Sequence, residues 1–290
     1  MYFWTWQTRE VLELAKWMRA YNAAAGRHST LHFAGFDVQE PSVAVASVTA
    51  FANGRDASKG AATAADYACI PPAAKREVAS AADWDRCAAS VAGASAQLAA
   101  LHPDLDIAHD ARIVEQFVAL KRSTNSGAER DRFMAENVGW LADSADRGAK
   151  IALWAHNYHV SDMSQGGVST MGSYLHARIG TQYYRLGFAF DRGSIRAFQC
   201  GAGVGPRDVA PALADSLEGL LREVGARYFL DLDALPASSL RAWLDGGTLE
   251  REIGALYSAR TDNGFYLSTN VRARFDGLIF IEQSHAAVAL

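Results

Sequence analysis

Apolar residues Val11, Leu12, Leu14, Ala15, Trp17 and Met18 recur at helical spacing, predicting a buried helix to about Ala25, with Gly26 as its stop. The run Leu31–Val38 reads as a buried strand ending in Asp37, Gln39 and Glu40, after which Pro41 opens an Ala/Val helix. Residues 55–148 change character. They are rich in alanine and poor in strand formers, with breaks at Pro71-Pro72 and His102-Pro103, and predict helices near 60–69, 73–101, 107–123 and 128–147. Past Lys150 short apolar runs return: strands at Ile151–Ala155, Tyr184–Phe190, Ser194–Cys200, Arg227–Leu232 and Gly277–Ile281, with helices near 171–178, 209–224 and 237–244 between them. Strands alternating with helices predict an α/β fold: a mainly parallel sheet with flanking helices and an all-helical insertion. The expected organisation is 1–54 and 149–290 as one α/β lobe, interrupted by a helical insertion at 55–148.

Composition narrows the function classes. Half of the 290 residues are hydrophobic and 21% are charged, which excludes a disordered chain. A net charge of −4 without a basic stripe argues against nucleic acid as partner. Apolar runs fall far short of the ~20 residues that span a bilayer, so no membrane partner is expected. Cys69, Cys87 and Cys200 are odd in number and lack C-x-x-C spacing, which predicts no disulfide scaffold and a reducing, cytoplasmic compartment. The start Tyr-Phe-Trp-Thr-Trp has no secretory pattern, and a monomer is expected.

The chemistry concentrates in Trp154-Ala155-His156-Asn157-Tyr158-His159. Two imidazoles just past a strand end can share one cleft and move protons near neutral pH; a pair of hydrogen-bonded core histidines is the bland alternative. No third and fourth ligand stands at metal-binding spacing, so neither metal nor other cofactor is expected. Asp37 and Glu40 end the first strand and could reach the same sheet edge, or serve as anions ahead of the next helix. The chain has no G-x-S-x-G, against a serine hydrolase, and Ser169 reads as a loop serine or helix cap. Gly201-Ala202-Gly203-Val204-Gly205-Pro206 follows a strand in the order of a dinucleotide fingerprint, but Pro206 holds the third glycine position and a plain loop is the better reading. Tyr2, Phe3, Trp4 and Trp6 could line an apolar pocket or form core.

Several stretches together resemble the erythromycin esterase family. They are Trp6–Glu10 with Trp17–Asn22; Phe33–Asp37; Arg130–Asn137 with Trp140-Leu141; Trp154–His159; Met171-Gly172 followed by Leu186–Phe188; and Phe275–Phe280. The resemblance implies a two-lobed α/β fold with a helical insertion. It also implies hydrolysis of a small-molecule ester or macrolactone by histidine-activated water, without an acyl-enzyme. The family's W-A-H-N-x-H motif makes His156 and His159 catalytic, and its W-x-T-x-E motif brings in Glu10. Asp37, Trp6, Trp154 and Asn157 are the expected substrate-binding residues. The family's opening strand and G-E-x-x-H segment, which supplies its base, has no counterpart here, so the chain reads as an N-terminally shortened member with impaired activity. The alternative is a non-catalytic small-molecule binder that keeps the pocket without the base.

Overall fold

The computed structural model describes residues 4–24, 30–71, 80–146 and 148–290. Tyr2, Phe3, the Gly26 helix stop and the start of the expected 73–101 helix lie outside them. The chain divides into two compact units, Met1–Ala34 with Lys150–Leu290, and Gly35–Ala149. Helix α1 (Arg9–Ala23) belongs to the first; α2 (Ser42–Arg55), α3 (Ala57–Tyr67), α4 (Ala81–Ala99), α5 (Leu105–Arg122) and α6 (Ser126–Ser144) form the second. The sequence pattern starts the helical region at 55. The compact unit starts at Gly35 because α2 packs on α3 and α5.

The helical unit follows local rules. Asp56, Asp104 and Asn125 accept backbone N–H groups at the starts of α3, α5 and α6, and Ser80 with Asp83 forms a capping box on α4. Its core packs Val48, Tyr67, Trp84, Val91, Leu98, Val114 and Phe117, with Trp84 edge-on to Phe117 at 5.8 Å. Cys69 and Cys87 are joined in a disulfide, while Cys200 is free and exposed. The expectation that the cysteines form no disulfide fails: Cys69, just past α3, meets Cys87 of α4 across 18 positions, which cysteine spacing alone does not reveal.

The other unit holds α7 (Asn157–Val160), α8 (Met171–Ile179), β1 (Leu186–Gln199), β2 (Gly203–Val209), α9 (Leu217–Leu221), β3 (Arg227–Asp231), α10 (Ser239–Asp245), β4 (Thr248–Arg251), β5 (Tyr266–Thr269), α11 (Val271–Arg274) and β6 (Gly277–Ser284). Four strands form a sheet in the order β2-β1-β6-β3, and β4 pairs with β5. Among the described strand pairs β1–β6 is parallel, whereas β1–β2, β3–β6 and β4–β5 are antiparallel. The sheet is therefore mixed, not mainly parallel. The reason lies in the Gly-rich segment. Gly201 and Gly203 take φ of 78° and 69°, so the chain doubles back into β2 as a hairpin where the pattern expected a loop and then a helix. A strand–loop–helix phosphate cradle is thereby absent, which removes the dinucleotide reading.

Two expected buried strands are also missing. Residues 31–38 and 151–155 carry no ladder, and Phe33, Ile151 and Trp154 are exposed. An apolar run becomes a strand only when neighbours take its N–H and C=O groups, and the sequence does not say which neighbours exist. α1 forms as expected but buries none of its side chains, leaving Leu12 and Trp17 exposed.

Candidate active site

The site grows from the junction ahead of α7. His156 is the N-cap of that helix: its Nδ1 accepts the Tyr158 N–H at 3.1 Å, while Nε2 lies 2.8 Å from the Ile253 carbonyl oxygen. An amide N–H can only donate and a carbonyl can only accept, so the neutral ring carries its proton on Nε2. The next residue fixes the helix to the sheet. Asn157 Nδ2 donates to the Phe188 carbonyl at 2.7 Å, and the Phe188 N–H donates to Asn157 Oδ1 at 3.0 Å. At the far end of α7, α8 approaches so closely that a Cβ on Gly172 would lie 2.3 Å from the Val160 carbonyl oxygen. Only glycine allows this approach.

Behind His156 stands a buried ionic frame. Glu252 Oε2 is 3.6 Å from His156 Nδ1, and Glu252 Oε1 pairs with Arg274 Nη2. Arg274 Nη1 donates to Glu250 Oε2 at 2.6 Å, and Nη2 also reaches Ser161 Oγ at 3.3 Å. The Arg274 and Glu250 side chains are both 3% exposed, whereas that of His156 is 37% exposed, so the frame is dry and its outermost member meets solvent. Burial pushes the Glu250 carboxyl up to about 7 against the pull of Arg274, and the charges of Glu252 and Glu218 push the same way. Glu250 is held by β4, Arg274 by the last turn of α11, and Glu252 sits just past β4.

The other expected residues are placed as follows. Trp154 and Trp6 meet edge to face at 5.2 Å. His159 lies in α7 with its ring edge-on to Tyr158 at 5.3 Å. Glu10 sits in the first turn of α1, where its carboxylate accepts the Val288 N–H at 3.1 and 3.2 Å. Its own backbone N–H, and then that of Val288, hold it below the usual carboxylate range. Asp37 belongs to the helical unit, gripped by Arg130 Nη2 at 2.7 Å and Nε at 3.0 Å. Glu40 lies in that unit too, accepting from Ser42 ahead of α2. Thr170, not Ser169, caps α8. Among the described residues, no group of three or more His, Cys, Asp or Glu is placed to hold a metal ion.

Sequence reasoning missed Glu252, Arg274 and Glu250 altogether. It missed Asp162 as well, whose Oδ2 holds His176 Nδ1 at 2.7 Å. Burial works to raise the Asp162 carboxyl, but hydrogen bonds from Ser164, His176 and Ser173 outweigh it and hold the group well below the usual range. Asp162 directly follows the H-x-x-H helix, a loop position that could have drawn attention to it. Glu252 and Arg274 carry no comparable signal, because they pair with each other across 22 positions and reach the H-x-x-H segment only through folding.

Known proteins share both fold and sequence with this chain. A Bacillus cereus protein of known structure superposes with a TM-score of 0.85 over 98% of this chain and 74% of its own, at 19% identity. A succinoglycan biosynthesis protein does so at 0.81, over 97% and 71%, with 17% identity. A mutant of erythromycin esterase EreC, in its open conformation, gives 0.65 over 94% and 72%, with 20% identity. In sequence, a putative hydrolase of Bacillus subtilis, YbfO, is 35% identical over 101 residues, which is 32% of this chain but only 22% of that protein. The family model described as erythromycin esterase matches residues 1–284, nearly the whole length, and the chain belongs to the erythromycin esterase family.

Proposed function

We propose that the α/β unit hydrolyses a carboxylic ester or lactone of a small molecule, with His156 as the group that meets the reacting oxygen. The supporting observation is the state of His156: a half-exposed ring, fixed on the cap of α7, with a proton on Nε2 and a buried carboxylate beside Nδ1. Water adds to the ester carbonyl carbon as one of its protons passes to solvent, the acyl–oxygen bond then breaks, and the departing alkoxide takes a proton from solvent, leaving acid and alcohol. Negative charge gathers on the carbonyl oxygen and then on the departing alkoxide, and each is a better acceptor than the Ile253 carbonyl that now takes the Nε2 proton. His159, one helical turn on, orients the bound ester, and the Trp6–Trp154 pair offers apolar surface to its body. Asn157 acts through the backbone of β1, keeping the ring's platform in place.

A second reading, a small-molecule binder without turnover, is favoured by one feature: both His156 nitrogens are already engaged by the chain itself. Turnover of an ester panel decides between the two. His156→Ala is expected to lower kcat by about 10²–10⁴-fold. The variant should stay folded, at a cost of about 1 kcal/mol for the lost cap. Full turnover in His156→Ala sinks the hydrolase reading of this residue, and a wild-type chain silent on every ester favours the binder.

A further inference from the structure

We propose that Glu252 is the positioning residue of His156, its carboxylate set in place by Arg274 so that Oε2 can receive an Nδ1–H when the ring carries two protons. The proposal deepens the ester-hydrolase reading above and rests on it for its catalytic meaning. The Glu252 carboxylate divides its two oxygens between two partners. Glu252 Oε1 is spent on Arg274, which leaves Oε2 facing His156 Nδ1 at 3.6 Å. The following residue, Ile253, supplies the carbonyl for Nε2 at 2.8 Å. One dipeptide therefore presents an acceptor to each ring nitrogen. A neutral imidazole cannot use both, since it has a single N–H, and it meets the Tyr158 N–H with its bare Nδ1 instead. An imidazolium uses both.

Protonation of His156 thus exchanges a helix cap for an ion pair. Nδ1 gains a proton, gives up the Tyr158 N–H and closes on Glu252 Oε2, while Nε2 remains a donor, now on a cation. A charged donor stabilises a developing oxyanion more strongly than a neutral one. The charges around the ring are consistent with this. Glu252 is nearest, Arg274 lies behind it, and Glu250 and Glu218 lie beyond. Glu250, whose burial favours its neutral form, leaves much of the Arg274 charge to be answered by Glu252. Arg274 itself cannot swing away. It is 3% exposed and held by Glu250, Glu252 and Ser161 at once.

Proton and nitrogen NMR of the His156 ring tests the pairing without any substrate. In the wild type at acidic pH, a slowly exchanging Nδ1–H signal is expected. In Glu252→Gln it should vanish, and kcat on an ester substrate should fall at least about tenfold with KM unchanged. Glu252→Asp keeps the charge but shortens the reach. It should hold the fold through Arg274, weaken the ring signal and lie between the other two in kcat, which covers the case in which Glu252→Gln does not fold. Glu250→Gln, which touches Arg274 but not the ring, should keep the signal. An Nδ1–H signal that persists unchanged in Glu252→Gln and Glu252→Asp overturns the proposal. A signal lost in Glu252→Gln, in a protein that turns over no ester, upholds the pair and sinks the hydrolase reading instead.

Discussion

The two units spend their charged and aromatic residues in opposite ways. Among the described residues, the helical unit buries one charged side chain, Asp131, and exposes no large aromatic one. The α/β unit buries Arg185, Asp191, Glu218, Glu250, Arg251, Arg274 and Asp276, while Trp6, Trp17, Phe33, Trp154, Tyr184, Phe188, Phe198 and Phe229 stand at its surface. The first arrangement is that of a part whose task is to keep its shape, since apolar contact is tolerant and needs no exact partner. The second is costly in isolation, because every buried ion needs its counter-ion, and such costs gather where charge is used for chemistry. The Arg122–Asp85 pair of the helical unit, by contrast, lies in solvent.

Four measurements put this contrast at risk. The largest effect is expected from Arg274→Met, which strands Glu250 and Glu252 without their cation. A loss of about 3–5 kcal/mol in urea unfolding is expected, the usual result of breaking a buried pair from one side; a loss below about 1 kcal/mol would mean that the ionic frame is not what holds the unit. Opening the Cys69–Cys87 bridge, by reduction or by a double alanine variant, removes the constraint on an 18-residue separation. The helical unit should lose about 3 kcal/mol, read from its thermal unfolding before and after thiol treatment.

The third measurement concerns pH. The Glu250 carboxyl is raised in the folded state from the ordinary 4.5 to about 7, so between those values the folded chain keeps a proton that the unfolded chain has released. Stability must then fall as pH rises through that window. Glu250→Gln has no such proton, and its melting temperature relative to wild type should climb from pH 4.5 to 7.5; a constant difference would contradict the assignment. The smallest effect belongs to Arg122→Ala in the helical unit, under about 1 kcal/mol, as for exposed pairs generally.

How far each region was legible follows from the range of its interactions. Asp56, Asp104 and Asn125 cap helices that start within a few residues of where the periodicity places them, since a cap and its helix are neighbours in sequence. The pairing of β1 with β6 joins residues some ninety positions apart, and no local pattern says which way the partner runs. The same divide cuts through the site. His156, Asn157 and His159 are contiguous, so the motif was visible, but the groups acting on the His156 ring arrive from Ile253, 97 positions on, and from its neighbour Glu252. Apolar content misled at Ile151–Ala155, where residues typical of a buried strand stand at the surface.

The amide of Asn157 has a meaning beyond the histidine beside it. Along Leu186–Phe190, β1 has β6 on one side, while β2 pairs only from Gly193 onward, so among the described residues its other edge carries no strand. Bare edges recruit strands from other molecules, and natural sheets guard against it. Here the guards are side chains. Asn157 occupies both the N–H and the carbonyl of Phe188, and Arg251 Nη2 takes the carbonyl of Phe190 at 2.7 Å. The Phe188 N–H and carbonyl and the Phe190 carbonyl thus have little left to offer an incoming chain, so the residue that braces the candidate catalytic helix also blunts this edge of the sheet.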